Sequence, residues 1–354
     1  MSQTPSALLH ASALVQETPA SASLDAAVLA TLAYHDLLHL PLTSVQVWRY
    51  LLRPRAGGQG TGNRGQGTES PTLRDVEQSL HTLVERGVLE TANGFFVFAG
   101  HRARIAEWPA KHARSQQKWR RLRRIVFWLQ CIPFLRGVAG TGSLAFDNAK
   151  PTSDLDVLII AAPNRVWTVR FFLTVLLDLF RLRRRPQGVT SDRVCLNHYL
   201  AADALSFPYQ SLYTALEYAR MVPLIGEHTC WAFRAANRSW MERYLFSVFP
   251  DTVHHKKSLP SSPALRSTQR LFEWMLFTPL GNALERFLAS LQRTRIARSD
   301  RSRGLKGRIV ATNTRAEFHP QSREAPILAA FNARMETLGL EDRFGGQADS
   351  GLTR

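Results

Sequence analysis

The chain is 354 residues long, 45% apolar, and carries a formal net charge of +17. That length and apolar content support a substantial core and roughly two or three domains, which excludes a disordered tail or a short peptide module. The charge favours a polyanionic partner such as nucleic acid, a nucleotide or an acidic surface. Three cysteines, Cys131, Cys195 and Cys230, have neither paired nor metal-ligand spacing and read as reduced and mostly core.

The first residues, 1–24, are Ser, Ala, Thr and Pro in a mildly apolar mix. They read as a disordered leader with no signal-peptide pattern. Residues 25–100 read as a winged-helix-like domain. Ala26 to Leu38 has helical periodicity, and Thr43-Ser44 caps a second helix, Val45 to Leu52. A Gly-rich insert at 54–70 reads as flexible, and Leu73 to Arg86 forms a third helix. Apolar runs around Ala92-Asn93-Gly94 then predict a hairpin. The outward face of the third helix carries Asp75, Glu77 and Glu85 against Arg74. Carboxylates oppose entry into a phosphate-lined groove, so a packing or partner-docking module is expected over a DNA reader.

Residues 101–130 form a basic helical connector. Lys118, Arg120, Arg121, Arg123 and Arg124 are crowded between Trp119, Leu122, Ile125 and Trp128. The apolar positions recur at helical spacing and should pack on the next domain. The basic face is open either to solvent or to non-specific nucleic acid.

Residues 131–205 alternate strands and helices: strand Phe134 to Ala139, turn Gly140 to Ser143, short helix Leu144 to Asn148, strand Asp154 to Ala161, helix Val166 to Leu182 and strand Val194 to Leu200. The helix Val166 to Leu182 holds Arg170 and Asp178 and is too short to span a bilayer, so no membrane span and a cytoplasmic location are expected. Residues 206–297 read as helical, with one long amphipathic stretch from Leu265 to Ile296. Residues 298–354 read as a basic tail with one late strand, Arg308 to Thr312. The predicted class is α+β: an N-terminal winged helix-turn-helix, a central mixed sheet with flanking helices, and a helical C-terminal region.

Asp154 and Asp156 stand at the mouth of a strand that is otherwise apolar. Burying an uncompensated carboxylate costs several kcal/mol, roughly, so something must offset them. Side chains alternate along a strand, which puts both carboxylates on one face. Two carboxylates there suit a hard divalent cation, and Mg²⁺ commonly takes one or two carboxylates together with substrate phosphates. Upstream, the Gly142-Ser143 turn offers free backbone N–H groups and a hydroxyl to phosphate.

Gly142-Ser143, ten intervening residues, Asp154-Leu155-Asp156 and an apolar strand together resemble the signature of the DNA polymerase beta-like nucleotidyltransferase superfamily. The resemblance covers residues 131–200. More loosely, the order winged helix, basic connector, nucleotidyltransferase core and helical tail looks like a group of bacterial nucleotidyltransferase-domain proteins. It implies transfer of a nucleoside monophosphate from a nucleoside triphosphate such as ATP to an acceptor hydroxyl, with release of pyrophosphate. Gly142 and Ser143 would then hold phosphates, Asp154 and Asp156 would hold Mg²⁺, and Arg136, Lys150 and Arg165 could add positive charge. The superfamily places a third carboxylate on a later strand, where this chain has Asn197. Asparagine ligates but cannot act as a carboxylate base. Asp192, Asp203 or His198 are the substitutes, with His198 expected on the strand face opposite Asn197 and Glu217 as a supporting group. Two alternatives stay open: a nucleotide-binding regulator with impaired chemistry, and a nucleic-acid-binding module using the winged helix and connector.

Overall fold

The apolar runs at 135–140 and 155–161 form two adjacent inner strands of a six-stranded mixed sheet. In this computed structural model, residues 19–55, 70–185, 188–248, 257–298, 308–319 and 322–344 are described. Residues 1–18 of the expected leader, 56–69 of the expected flexible insert, and 299–307, 320–321 and 345–354 of the expected basic tail lie outside the described residues.

The N-terminal unit contains helices α1 (Pro19–Leu37), α2 (Ser44–Arg49) and α3 (Leu73–Glu85), with strands β1 (Leu42–Thr43), β2 (Leu89–Ala92) and β3 (Phe95–Phe98). The strands pair antiparallel in the order β1-β3-β2. Thr43 and Thr72 cap α2 and α3 through capping boxes with Gln46 and Asp75, satisfying backbone donors that the first turn leaves free. Asn93 and Gly94 both take positive φ, 51° and 76°, as a two-residue hairpin turn requires. The leader expected to run to residue 24 therefore gives way to α1 at Pro19.

Helix α4 (Ala103–Trp128) then carries the chain to the central sheet. Strand β4 (Leu135–Gly140), short helix α5 (Gly142–Ala145), β5 (Leu155–Ala161), α6 (Val166–Leu179) and β6 (Val194–Ala201) follow. Helix α7 (Leu212–Ala219), β7 (Val222–Ile225) and α8 (Glu227–Met241) come next, then α9 (Pro263–Leu276) and α10 (Pro279–Arg298). Strands β8 (Arg308–Ala311) and β9 (Arg315–His319) and helix α11 (Glu324–Thr337) end the described chain. The sheet order is β7-β4-β5-β6-β9-β8. Only the β5–β6 pair is parallel among the described strands, joined by the α6 crossover.

Two expectations change here. Residues 206–297 contain the edge strand β7 as well as helices, and the stretch 265–296 is two helices meeting at Phe277-Thr278. The expected basic tail supplies β8, β9 and α11, whose Leu328, Phe331 and Met335 are core residues.

Alternation along β5 divides the interior. Leu155, Val157, Ile159 and Ala161 join a core with residues of α4, α6 and α10. Leu158 and Ile160 join another with the N-terminal unit, α7, α8 and α11. The N-terminal unit is thus built into one face of the sheet. Buried Arg220 fastens the junction: its guanidinium lies 3.7 Å from the Tyr50 ring centroid, and Nη2 donates to His35 Nε2 at 2.8 Å. The arginine and burial hold His35 neutral, with its pKa lowered to about 3, mainly by burial. No helix among the described residues is long and apolar enough to cross a membrane.

The connector helix is less available than its composition implies. Trp119, Leu122 and Ile125 are buried as expected, whereas Trp128 is exposed. Lys118 is also buried, and its Nζ donates to Asp192 Oδ1 at 2.7 Å, Ser153 O at 2.8 Å and Pro151 O at 3.2 Å. Arg120, Arg121 and Arg124 remain exposed.

Candidate functional site

Strand β4 ends where Thr141 N donates to Asp156 O at 3.1 Å, tying the next turn to β5. Gly142 then takes φ +63°, a region open to glycine at little cost. An ideal Cβ there would lie 2.4 Å from Asp156 Oδ2. The turn's backbone is therefore in direct contact with the carboxylate. Ser143 Oγ lies 3.4 Å from Ser153 Oγ, which accepts from Lys150 N at 2.9 Å. This anchors the turn to the loop that delivers Asp154.

Asp154 and Asp156 share the face of β5 that continues to Leu158 and Ile160, as alternation predicts. Arg184 Nη1 pairs with Asp154 Oδ2 at 2.8 Å and reaches Cys195 Sγ at 3.4 Å. Ligand atoms of Asp154, Asp156 and Cys195 all lie within 4.8 Å of one another. Burial, and then the charge of Asp154, push Asp156 up to about 7. Burial and the two aspartates push the Cys195 thiol well up, so it stays protonated beside Asp156.

Strand β6 contains a bulge. Cys195 pairs with Asp156 and His198 with Leu158, so two residues, Leu196 and Asn197, oppose the single Val157. Asn197 Nδ2 donates to Asp156 Oδ1 at 3.3 Å. The extra residue also corrects the expected placing of His198, since Asn197 and His198 line the same cavity instead of opposite faces. His198 Nδ1 lies 3.2 Å from Tyr218 Oη, and burial holds the ring well below its usual pKa and neutral.

These groups open into a cavity of about 880 Å³. Its exposed rim has Lys150, Arg184 and Arg323; further in lie Tyr213 and Glu217 of α7, Arg308 and His319 of the β8–β9 hairpin, and Glu324 at the start of α11. Burial and the charge of Asp156 push Glu217 up to about 8. Glu324 is 1% exposed, and its Oε1 has no hydrogen-bond partner.

The structure therefore gathers Gly142, Ser143, Lys150, Asp154, Asp156, Asn197, His198 and Glu217 around one space. Arg136 does not join them, because Glu273 holds it at 2.7 Å. Arg165 stacks on Phe134 and donates to Asn282, lining a different cavity between α6 and α10. Asp192 is taken by Lys118, and Asp203 does not line the site cavity. Sequence reasoning missed Arg184, Cys195, Arg308, His319, Arg323 and Glu324. Cys195 alone had a usable signal, since parallel pairing of two apolar strands sets it beside Asp156.

Two ionised carboxylates side by side repel, and Arg184 offsets only part of that charge. The oxygen donors of Asp154 and Asp156 fit a hard divalent cation, whereas the protonated Cys195 thiol is a poor ligand for one. The cavity can thus take a polyanion: carboxylates at one side for a bridging cation, and a backbone turn, Lys150, Arg184 and Arg323 for its negative oxygens. The chain matches no family model, and no curated protein or solved structure is significantly similar to it.

Proposed function

We propose that this protein is a nucleotidyltransferase of the DNA polymerase beta-like kind, moving a nucleoside monophosphate from a nucleoside triphosphate onto an acceptor hydroxyl. The observation that carries the reading is the contact between the Gly142 backbone and the Asp156 carboxylate. It brings the Gly142-Ser143 turn and the Asp154 and Asp156 carboxylates into one cavity, which supports the reading.

In this reading Asp154 and Asp156 would hold Mg²⁺, which would supply neutralisation of the charge developing on the phosphates. The Gly142-Ser143 turn, Lys150 and Arg323 hold and orient the triphosphate. The acceptor oxygen bonds to the α-phosphorus as the bond to the β-phosphate oxygen breaks, and pyrophosphate leaves. Asn197 cannot take the acceptor proton, and Asp192 is engaged elsewhere. Glu217, which lines the same cavity, is the carboxylate assigned that role. The N-terminal unit serves as a winged-helix-like docking module: three helices and a β1-β3-β2 sheet support that description, and Asp75 and Glu85 on the exposed face of α3 oppose DNA.

Asn197 favours a second reading, a nucleotide-binding regulator that keeps the site without turnover. Isothermal titration tests what both readings share. Triphosphate affinity should rise with Mg²⁺ in the wild type and not in Asp156→Ala. Equal enhancement in both proteins would remove the assignment of the pair.

A further inference from the structure

Beyond that cavity, the opposite side of the sheet carries an unusual surface. Of the fifteen large apolar side chains exposed among the described residues, twelve lie on α6, α9, α10 or their C-caps. They form outward stripes at helical spacing: Phe171, Val175 and Leu179 on α6, and Leu280, Phe287 and Leu291 on α10. Trp274 on α9 is 76% exposed, and Phe277 at its end 80%. Helix α10 packs against both α6 and α9, so the stripes belong to adjacent helices. Concentrated apolar exposure of this kind marks an interaction surface.

Charge on the same helices selects the occupant. Each of the three helices has a single acid, and every one is already engaged. Asp178 pairs with Arg183 and Arg185, Glu273 with Arg136, and Glu285 accepts from Trp167 N and Thr168 N at the start of α6. Arg270, Arg286, Arg295 and Arg298 are exposed and have no carboxylate partner among the described residues. A second copy of this chain would set those arginines against one another. An anionic bilayer would neutralise them while its acyl boundary took up the Trp, Phe and Leu side chains.

We infer that the α6–α9–α10 face is a peripheral docking surface for anionic lipid. Helices with an aromatic and leucine stripe beside arginines lie in the plane of a bilayer interface, and Trp is favoured at that depth. The cavity opens on the other side of the sheet, so a docked chain keeps it accessible to nucleotide. This inference does not depend on the transferase reading.

Co-sedimentation of the full chain with vesicles of phosphatidylglycerol and phosphatidylcholine, against phosphatidylcholine alone, tests it. The wild type should bind the anionic vesicles only. The triple variant Trp274→Ser, Phe277→Ser, Leu280→Ser, at exposed positions that leave the core intact, should bind them roughly tenfold more weakly. Arg270→Glu with Arg286→Glu should do the same, whereas Arg120→Glu with Arg124→Glu, on the connector, should keep most of the binding. Equal binding by wild type and triple variant would overturn the inference, leaving net charge as the whole cause. So would a wild type that ignores both vesicle types and sediments as a dimer that the triple variant splits, which would make a second copy the occupant.

Discussion

Gly142 and Asp156 meet so closely that no side chain fits between them: a Cβ on Gly142 would stand 2.4 Å from Asp156 Oδ2, at a φ of +63°. Gly142→Ala should therefore lower stability by about 1–3 kcal/mol, from left-handed strain and the contact together. It should also displace the turn from the carboxylate and weaken triphosphate binding in titration. Full binding by a folded Gly142→Ala protein would show that the turn does not hold phosphate.

The raised carboxyl groups make stability fall with pH. Asp156 at about 7 and Glu217 at about 8 keep their protons in the folded chain over a range where the unfolded chain has lost them. Their contribution is full below the ordinary carboxyl range and is lost as pH rises through about 7 and 8. His35 at about 3 and His319 at about 4 act oppositely, losing stability as pH falls below the ordinary imidazole value. Thermal melts should show Asp156→Asn more stable than the wild type at pH 8 and little different at pH 4. Mg²⁺ should raise the wild-type melting temperature at pH 8 without raising that of the variant.

Replacing Asn197 by Asp removes a donor to Asp156 and adds a third negative charge beside the pair. Metal-free stability should fall, and stabilisation by Mg²⁺ should grow. Glu217→Gln should lower turnover by about 10²- to 10⁴-fold with triphosphate affinity retained, the scale of lost proton transfer. Wild-type turnover should rise toward pH 8 as Glu217 gives up its proton. If Glu217→Gln keeps full turnover while Asn197→Asp increases it, the proton acceptor belongs on β6.

The basic connector divides into structural and free charge. Lys118→Ala removes a buried donor from the Asp192 carboxylate and from two carbonyls, and should cost about 1–3 kcal/mol in denaturant melts. Arg120→Glu with Arg124→Glu should leave stability nearly unchanged and abolish salt-sensitive retention on RNA or DNA at low ionic strength. Unchanged retention would assign that charge to the solvated helix face alone.

Much of the site could be read from the sequence because its signals are local. Alternation puts Asp154 and Asp156 on one face of β5, and a Gly-Ser pair after a strand marks the turn that meets them. The bulge in β6 left no mark, since one extra residue changes neither composition nor apolar content, yet it re-aims Asn197 and His198. Strand β7 was hidden by its proline. Pro223 is tolerated because β7 is an edge strand. Strand β9 was missed for a different reason: it buries Glu317 against Arg308, an ion pair that apolar periodicity cannot register. With β9 went His319, and after it Arg323 and Glu324 at the start of α11, which line the same cavity.

The most direct measurement is incubation of the full chain with α-labelled nucleoside triphosphates, Mg²⁺ and a cell-extract pool of hydroxyl acceptors, following both pyrophosphate and label. The account predicts pyrophosphate release with label transferred to an acceptor, lost in Asp154→Ala and Asp156→Ala and in Mg²⁺-free buffer. Binding of Mg²⁺-triphosphate without pyrophosphate release or label transfer under any of these conditions would contradict it and leave a nucleotide-binding regulator in its place.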